Sequence, residues 1–87
     1  MMMVRFHPQG WADYLHWQQT DRAILRKVNQ LIRDIQRDPY SGIGKPERLQ
    51  HDLSRYWSRR ITDEHRMIYA VSADTVDILQ CRYHYTP

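Results

Sequence analysis

The sequence predicts an α+β fold: two N-terminal helices packed on one face of a curved, mainly antiparallel sheet, with the other face free. Two periodicities carry this. Apolar residues before Pro39 recur every three or four positions, whereas from Leu49 onward they alternate with period two. Length is the third observation, because 87 residues leave room for one domain with a thin core, spanning 1–87.

The elements follow in order. Met2 to His7 reads as a short strand ended by Pro8 and Gly10. Trp11, Tyr14, Leu15 and Trp17 have helical spacing over residues 11–18, and belong to core and interface before any base-stacking role. Thr20 and Asp21 offer cap chemistry for a second helix. In that helix Ile24, Leu25, Val28, Leu31, Ile32 and Ile35 form one stripe, with Arg22, Arg26, Lys27, Arg33 and Arg37 off it. Pro39 stops it. Residues 39–48 hold two of the three glycines and two prolines, and read as a loop. Tyr56 to Ile61, Arg66 to Val71 and Val76 to Tyr85 then form an antiparallel meander, turning at Thr62–His65 and Ser72–Thr75.

Composition narrows the function. The net charge is +3, but eleven of the thirteen cations are arginine and ten residues are aromatic. Guanidinium groups and rings together suit flat, anionic, stackable partners, which means nucleic acid before membrane. The longest uncharged apolar stretch of the C-terminal half, Met67 to Val71, is far short of a membrane span. The first eight residues carry Arg5 and His7 and lack a secretory h-region. A lone cysteine, Cys81, forms no internal disulfide and fits a reducing compartment, so the cytoplasm is expected.

Three residues offer chemistry. Glu47, one of only two glutamates, sits in the Gly/Pro loop between Lys45 and Arg48. A carboxylate held among cations near phosphate suits a general base, though spacing alone favours a solvated loop glutamate. His84, ending the last strand, is a side chain able to give a proton near neutral pH; the bland alternative is a surface histidine. Arg66 opens the middle strand, where it either grips phosphate oxygens or makes a cross-strand ion pair. Cys81 and His84 lie three apart on one expected strand and so on opposite faces, and the other histidines show no ligand spacing, so no metal site is expected. Neither a dinucleotide fingerprint nor a phosphate-binding P-loop is present. Cys81 itself reads as buried and inert. Of Tyr56, Trp57, Tyr69, Tyr83 and Tyr85, strand alternation turns about half away from the helices, as candidates for stacking on bases.

Several segments in order resemble one family. Trp11-Ala-Asp-Tyr-Leu, Trp17-Gln-Gln-Thr-Asp21, Gly44-Lys-Pro-Glu47, Trp57-Ser-Arg-Arg-Ile-Thr, Glu64-His-Arg-Met-Ile-Tyr-Ala-Val71 and Cys81-Arg-Tyr-His-Tyr85 are similar to the YoeB (Txe) toxins of bacterial toxin–antitoxin systems. The resemblance implies a RelE-like fold, akin to small microbial ribonucleases, and a toxin that cuts mRNA in the ribosomal decoding site without a metal or other cofactor. It assigns the base to Glu47, the phosphate-binding arginine to Arg66, the acid to His84 and a supporting tyrosine to Tyr85. Lys45 and Arg60 match further basic positions near RNA, and Arg48 and Arg59 extend that basic set. Gln50 stands where a close relative has lysine; if that lysine neutralises phosphate, Arg48 or Lys45 must take its place or activity is lower. Implied partners are a YefM-like antitoxin, the bacterial ribosome with its mRNA, and a second copy of the chain, with DNA reached only through the antitoxin. A non-catalytic, ParE-like toxin or a plain RNA-binding module is the competing reading, and neither would need an acid–base pair.

Overall fold

The computed structural model describes residues 1–50 and 55–84. Strand β1 (Met3–Phe6) leads into helices α1 (Pro8–Thr20) and α2 (Arg22–Arg37); then come β2 (Glu47–Arg48), β3 (Tyr56–Arg60), β4 (Arg66–Ser72) and β5 (Thr75–Gln80). The sheet order is β1-β5-β4-β3-β2, with β1 parallel to β5 and every other pairing antiparallel. The expected class, two helices on a mainly antiparallel sheet, is what forms.

Helix boundaries follow local chemistry. Pro8 does not end the strand region in a loop but opens α1, where its missing N–H costs nothing. Gly10 therefore lies inside α1. It is buried, and a Cβ there would collide with the Ile78 carbonyl oxygen. That atom is backbone, so it cannot rotate away. Gly10→Ala should push α1 off β5 and destabilise the fold by more than the ~1 kcal/mol that helix propensity would return; a melting temperature at or above wild type would refute the close packing. Asp21 alone separates the helices. Its Oδ1 accepts the amide protons of Ala23 and Ile24, both at 3.1 Å, which caps α2.

The α2 stripe is buried as expected. Val28, Leu31 and Ile35 join Trp17 of α1, Ile61, Met67 and Tyr69, Val76 and Ile78, and Cys81 in one core. The other face of the sheet is less bare than expected, because Ile68 is buried too, on the side opposite Met67 and Tyr69. Between Ile68 and Tyr69 the register with β5 slips: Ile68 faces Gln80 and Tyr69 faces Ile78, which leaves Leu79 unpartnered.

Two expectations about strands need correction. The last strand ends at Gln80 rather than Tyr85. Side chains of α1 capture the next peptide instead: Asp13 Oδ2 accepts the Cys81 amide proton at 3.0 Å, and Trp17 Nε1 donates to the Cys81 carbonyl at 2.8 Å. The argument that Cys81 and His84 lie on opposite faces of one strand therefore falls. Glu47, in turn, stands on the short edge strand β2 and not in the loop before it.

Carboxylates tie several of these pieces together. The Arg5 guanidinium holds the Asp77 carboxyl below the ordinary aspartate value across the β1–β5 pair. Hydrogen bonds from the Tyr40 amide and then the Ser41 hydroxyl do the same for Asp38. For Asp34 burial pushes the carboxyl up, yet bonds from the Ile43 amide, Arg59 and Arg37 outweigh it and the net shift is downward. All three carboxyls take up protons at higher pH in the unfolded chain than in the folded one. Their stabilisation is thus complete above the unfolded value and disappears as pH falls through the folded ones. Thermal unfolding should be nearly flat from neutral pH to roughly pH 5 and then fall steeply below about pH 4. A melting temperature constant down to pH 3 would contradict this.

Candidate active site

Glu47 is positioned by the loop before it. Asp38 starts the turn, and Gly42 adopts φ 131°, where a Cβ would collide with the Asp34 carboxylate. Gly44 and Lys45 follow at φ 79° and 54°, and the Gly44 carbonyl accepts the Arg60 amide proton at 2.6 Å. This brings Lys45, which is exposed, against the end of β3. The chain then pairs with β3, so that Glu47 stands opposite Ser58 and Arg48 opposite Trp57.

Alternation divides the strand residues between two sides. Trp57, Arg59, Met67 and Tyr69 face the helices; Tyr56, Ser58, Arg60 and Arg66 face away, with Glu47 beside Ser58. Arg60 and Arg66 are direct cross-strand partners on that open side. Two like charges so placed repel, and a bound anion would relieve them. Among the described residues nothing accepts a hydrogen bond from the Arg60 guanidinium, while Arg66 Nη1 donates to the carbonyls of Thr62 (2.6 Å), Asp63 (3.1 Å) and His65 (3.1 Å). That leaves the other edge of the Arg66 guanidinium for a ligand.

His84 reaches the same turn. Its Nε2 lies 3.0 Å from the Asp63 carbonyl, and because a carbonyl only accepts, Nε2 carries a proton. The Asp63 carbonyl therefore receives bonds from both Arg66 and His84, which sets a guanidinium and an imidazole N–H side by side. A shallow cavity of about 270 Å³ adjoins His84, lined by Gln9, Asp13, Gln80, Arg82 and Tyr83. Tyr83 is 52% exposed and its ring lies 4.6 Å from the Arg82 guanidinium carbon, a surface on which a base could stack. The wider groove of about 760 Å³ on the outer face of α2 is lined by Arg26, Lys27 and Arg33 but holds no acid–base pair.

The open face brings together Glu47, Arg60, Arg66 and, at its edge, Lys45 and His84. Tyr85 lies outside the described residues. Two expected RNA contacts are placed elsewhere. Arg59 is fully buried under the loop and spends all its donors on loop carbonyls, Asp34 and Tyr69, so it has no access to RNA. Arg48 turns to the helix side, its guanidinium carbon 5.4 Å from the centre of the Trp57 ring. With Arg48 on the helix side, Lys45 is the basic side chain nearest to Glu47 in sequence on that loop. Of the candidate aromatics, Tyr69 is core and Trp57 packs near Tyr40 on the helix side. Cys81 is fully buried, and burial, with the Asp13 charge adding to it, pushes its thiol up to about 12, which leaves no nucleophilic thiolate. Among the described residues no three His, Cys, Asp or Glu side chains gather closely enough to hold a metal ion.

A family model described as "YoeB-like toxin of bacterial type II toxin-antitoxin system" matches residues 6–85. The chain belongs to the YoeB-like toxins. It is 54% identical to the toxin YoeB of Escherichia coli K12 over 84 residues, covering 97% of this chain and all of that one. A YoeB/ParE toxin from Agrobacterium tumefaciens superposes with a TM-score of 0.94 at 46% identity, over 97% of this chain and 100% of that structure. The Staphylococcus aureus YoeB, solved as a dimer and in a heterotetrameric YoeB–YefM complex, gives TM-scores of 0.90 and 0.88 at 42% identity. These cover 97% and 98% of this chain and 98% and 99% of theirs.

Membership in the YoeB-like toxins makes the order of residues meaningful, and geometry adds two that sequence reasoning passed over. Asp13 and His65 hold the segment that carries His84 (the Cys81 and Tyr83 amides respectively). A signal for Asp13 did exist: it sits three residues after Gly10 and four before Trp17, on the buried stripe of α1 where a carboxylate needs a partner.

Proposed function

We propose that this toxin is a ribosome-dependent endoribonuclease that cuts mRNA in the decoding site by acid–base catalysis. The observation that carries the reading is the open face itself. Strand register puts one carboxylate and two facing arginines on the same side of the sheet, an imidazole N–H shares a carbonyl with one of them, and among the described residues no carboxylate pairs with either arginine. Glu47 takes the proton from the ribose 2′-hydroxyl next to the scissile phosphate. The freed oxygen attacks phosphorus while Arg66, with Arg60 and Lys45, stabilises charge on the non-bridging oxygens. His84 gives its proton to the departing 5′-oxygen, leaving a 2′,3′-cyclic phosphate, and Tyr85 supports the site. The 2′-hydroxyl requirement makes the substrate RNA and not DNA. This chemistry routes no step through a metal or other cofactor.

The toxin acts in the cytoplasm, pairs with a second copy, and is neutralised by a YefM-like antitoxin; the Staphylococcus aureus relative forms a dimer and a heterotetramer with YefM. The test is reconstituted translation on a defined mRNA with the 5′ ends of the fragments mapped. Cleavage should occur within the decoding-site codon, should need the ribosome, and should be lost in His84→Gln. Equal cutting of naked RNA would remove the ribosome from the mechanism, and full activity of His84→Gln would remove the acid.

A further inference from the structure

Beyond β5 the described residues, 81–84, form no strand ladder, yet their peptide groups are captured one by one. The Cys81 amide goes to Asp13, the Cys81 carbonyl to Trp17, the Tyr83 amide to His65 and the Tyr83 carbonyl to the Arg66 amide. Between these anchors the backbone bends sharply: Tyr83 adopts φ 64°, a left-handed conformation that non-glycine residues avoid unless their surroundings impose it. His84 follows directly.

We propose that His65 is a positioning residue for His84: by accepting the Tyr83 amide proton at Nδ1, it holds the kink that sets His84 beside Arg66. The inference rests on the nuclease reading, because His84 is the acid only there. The His65 ring is itself fixed. It is 7% exposed, with the Trp17 ring edge-on at 4.7 Å. Its backbone carbonyl accepts from the Ile61 (3.0 Å) and Thr62 (3.2 Å) amides, and its own amide donates to Thr62 Oγ1 at 3.1 Å. Nδ1 accepts the Tyr83 amide at 2.8 Å, so it carries no proton; Nε2 carries it and lies 3.3 Å from Glu64 Oε1.

The chemistry of a lost acceptor decides the consequence. With no partner at Nδ1 the Tyr83 amide is left unsatisfied in a half-buried place, and the left-handed kink loses what imposes it. An extended Tyr83 would carry His84 away from the Asp63 carbonyl, 3.0 Å from Nε2, and so away from Arg66. Phosphate holder and proton donor would come apart while both side chains remained intact. Ribosome association, set by arginines and lysine elsewhere, would be untouched.

The experiment compares His65→Phe, which keeps a flat ring but has no acceptor, with His65→Asn, whose Oδ1 takes the place of Nδ1. In reconstituted translation we expect kcat of His65→Phe to fall tens-fold, with KM for the programmed ribosome within about twofold of wild type, and His65→Asn to recover most of the loss. Tyr83 amide exchange should quicken at least tenfold in His65→Phe alone, with β4 amides unchanged in both variants. A wild-type kcat in His65→Phe, or equal losses in both variants with native β4 protection, would overturn the proposal. Wild-type protein offers a readout that needs no variant: a scalar coupling across the hydrogen bond between the Tyr83 amide nitrogen and His65 Nδ1. Its absence would also overturn the proposal. If the wild type cuts no mRNA, the nuclease reading falls, while the coupling and the exchange still decide the latch.

Discussion

Replacing Arg59 by methionine should cost the folded chain about 3–5 kcal/mol, a large part of what a small domain has to lose. Five donors of this guanidinium meet five acceptors. Nε donates to the Tyr69 hydroxyl at 3.1 Å, and Nη1 to Asp34 Oδ2 at 2.6 Å and the Ile43 carbonyl at 3.1 Å. Nη2 donates to the carbonyls of Asp38 at 2.7 Å and Ser41 at 3.1 Å. The Tyr69 hydroxyl passes its own proton to the Pro39 carbonyl at 2.6 Å. Methionine keeps the apolar stem and removes every bond, leaving Asp34 without its buried cation and three loop carbonyls unpaired. Arg59→Lys should fall almost as far, since one ammonium cannot serve acceptors arranged for a fork. Urea unfolding measures both, and a loss under about 1 kcal/mol in Arg59→Met would refute the role assigned to the network. Because the same loop sets Lys45 and Glu47, RNA cleavage should fall in any variant that survives, although Arg59 touches no RNA.

Arg66→Ala should lower cleavage in translating ribosomes by roughly 10²- to 10³-fold, the usual size when one donor to a transition-state oxyanion is removed. Arg66→Lys should recover part of this, because charge returns without the second guanidinium edge. The alanine variant also loses three bonds to the 62–65 turn, so its melting temperature has to be recorded alongside. If Arg66→Ala cuts mRNA within tenfold of wild type while remaining folded, the phosphate contact belongs to Arg60 or Lys45.

Sequence reading and structure part company at identifiable residues. The α2 stripe was legible because a single helix face against a sheet leaves a 3.6-residue signature that no distant contact alters. Glu47, Arg66 and His84 are picked out by family order; strand register places Glu47 by Ser58 and Arg66 by Arg60, whereas His84 lies beyond the last strand. Arg59 was misread because composition counts a buried cation and a solvated one alike. Its burial depends on Asp34, 25 residues earlier, and on loop carbonyls that only the folded turn assembles. Arg48 falls on the helix side of the sheet for a related reason, since one residue of register decides which side a side chain takes.

What the sequence alone determined is the class of fold and the family to which the chain belongs. Periodicity, a capping aspartate and a Gly/Pro stretch are local, and local chemistry suffices to write them. Where the last strand stops could be decided only in three dimensions. Residues 81–85 alternate as a strand should, but Asp13, Trp17 and His65, distant in sequence, offer the Cys81 and Tyr83 peptides better partners than a ladder does. A hydrogen bond satisfied from afar leaves no periodic trace in the chain, and the direction of His84 depends on it.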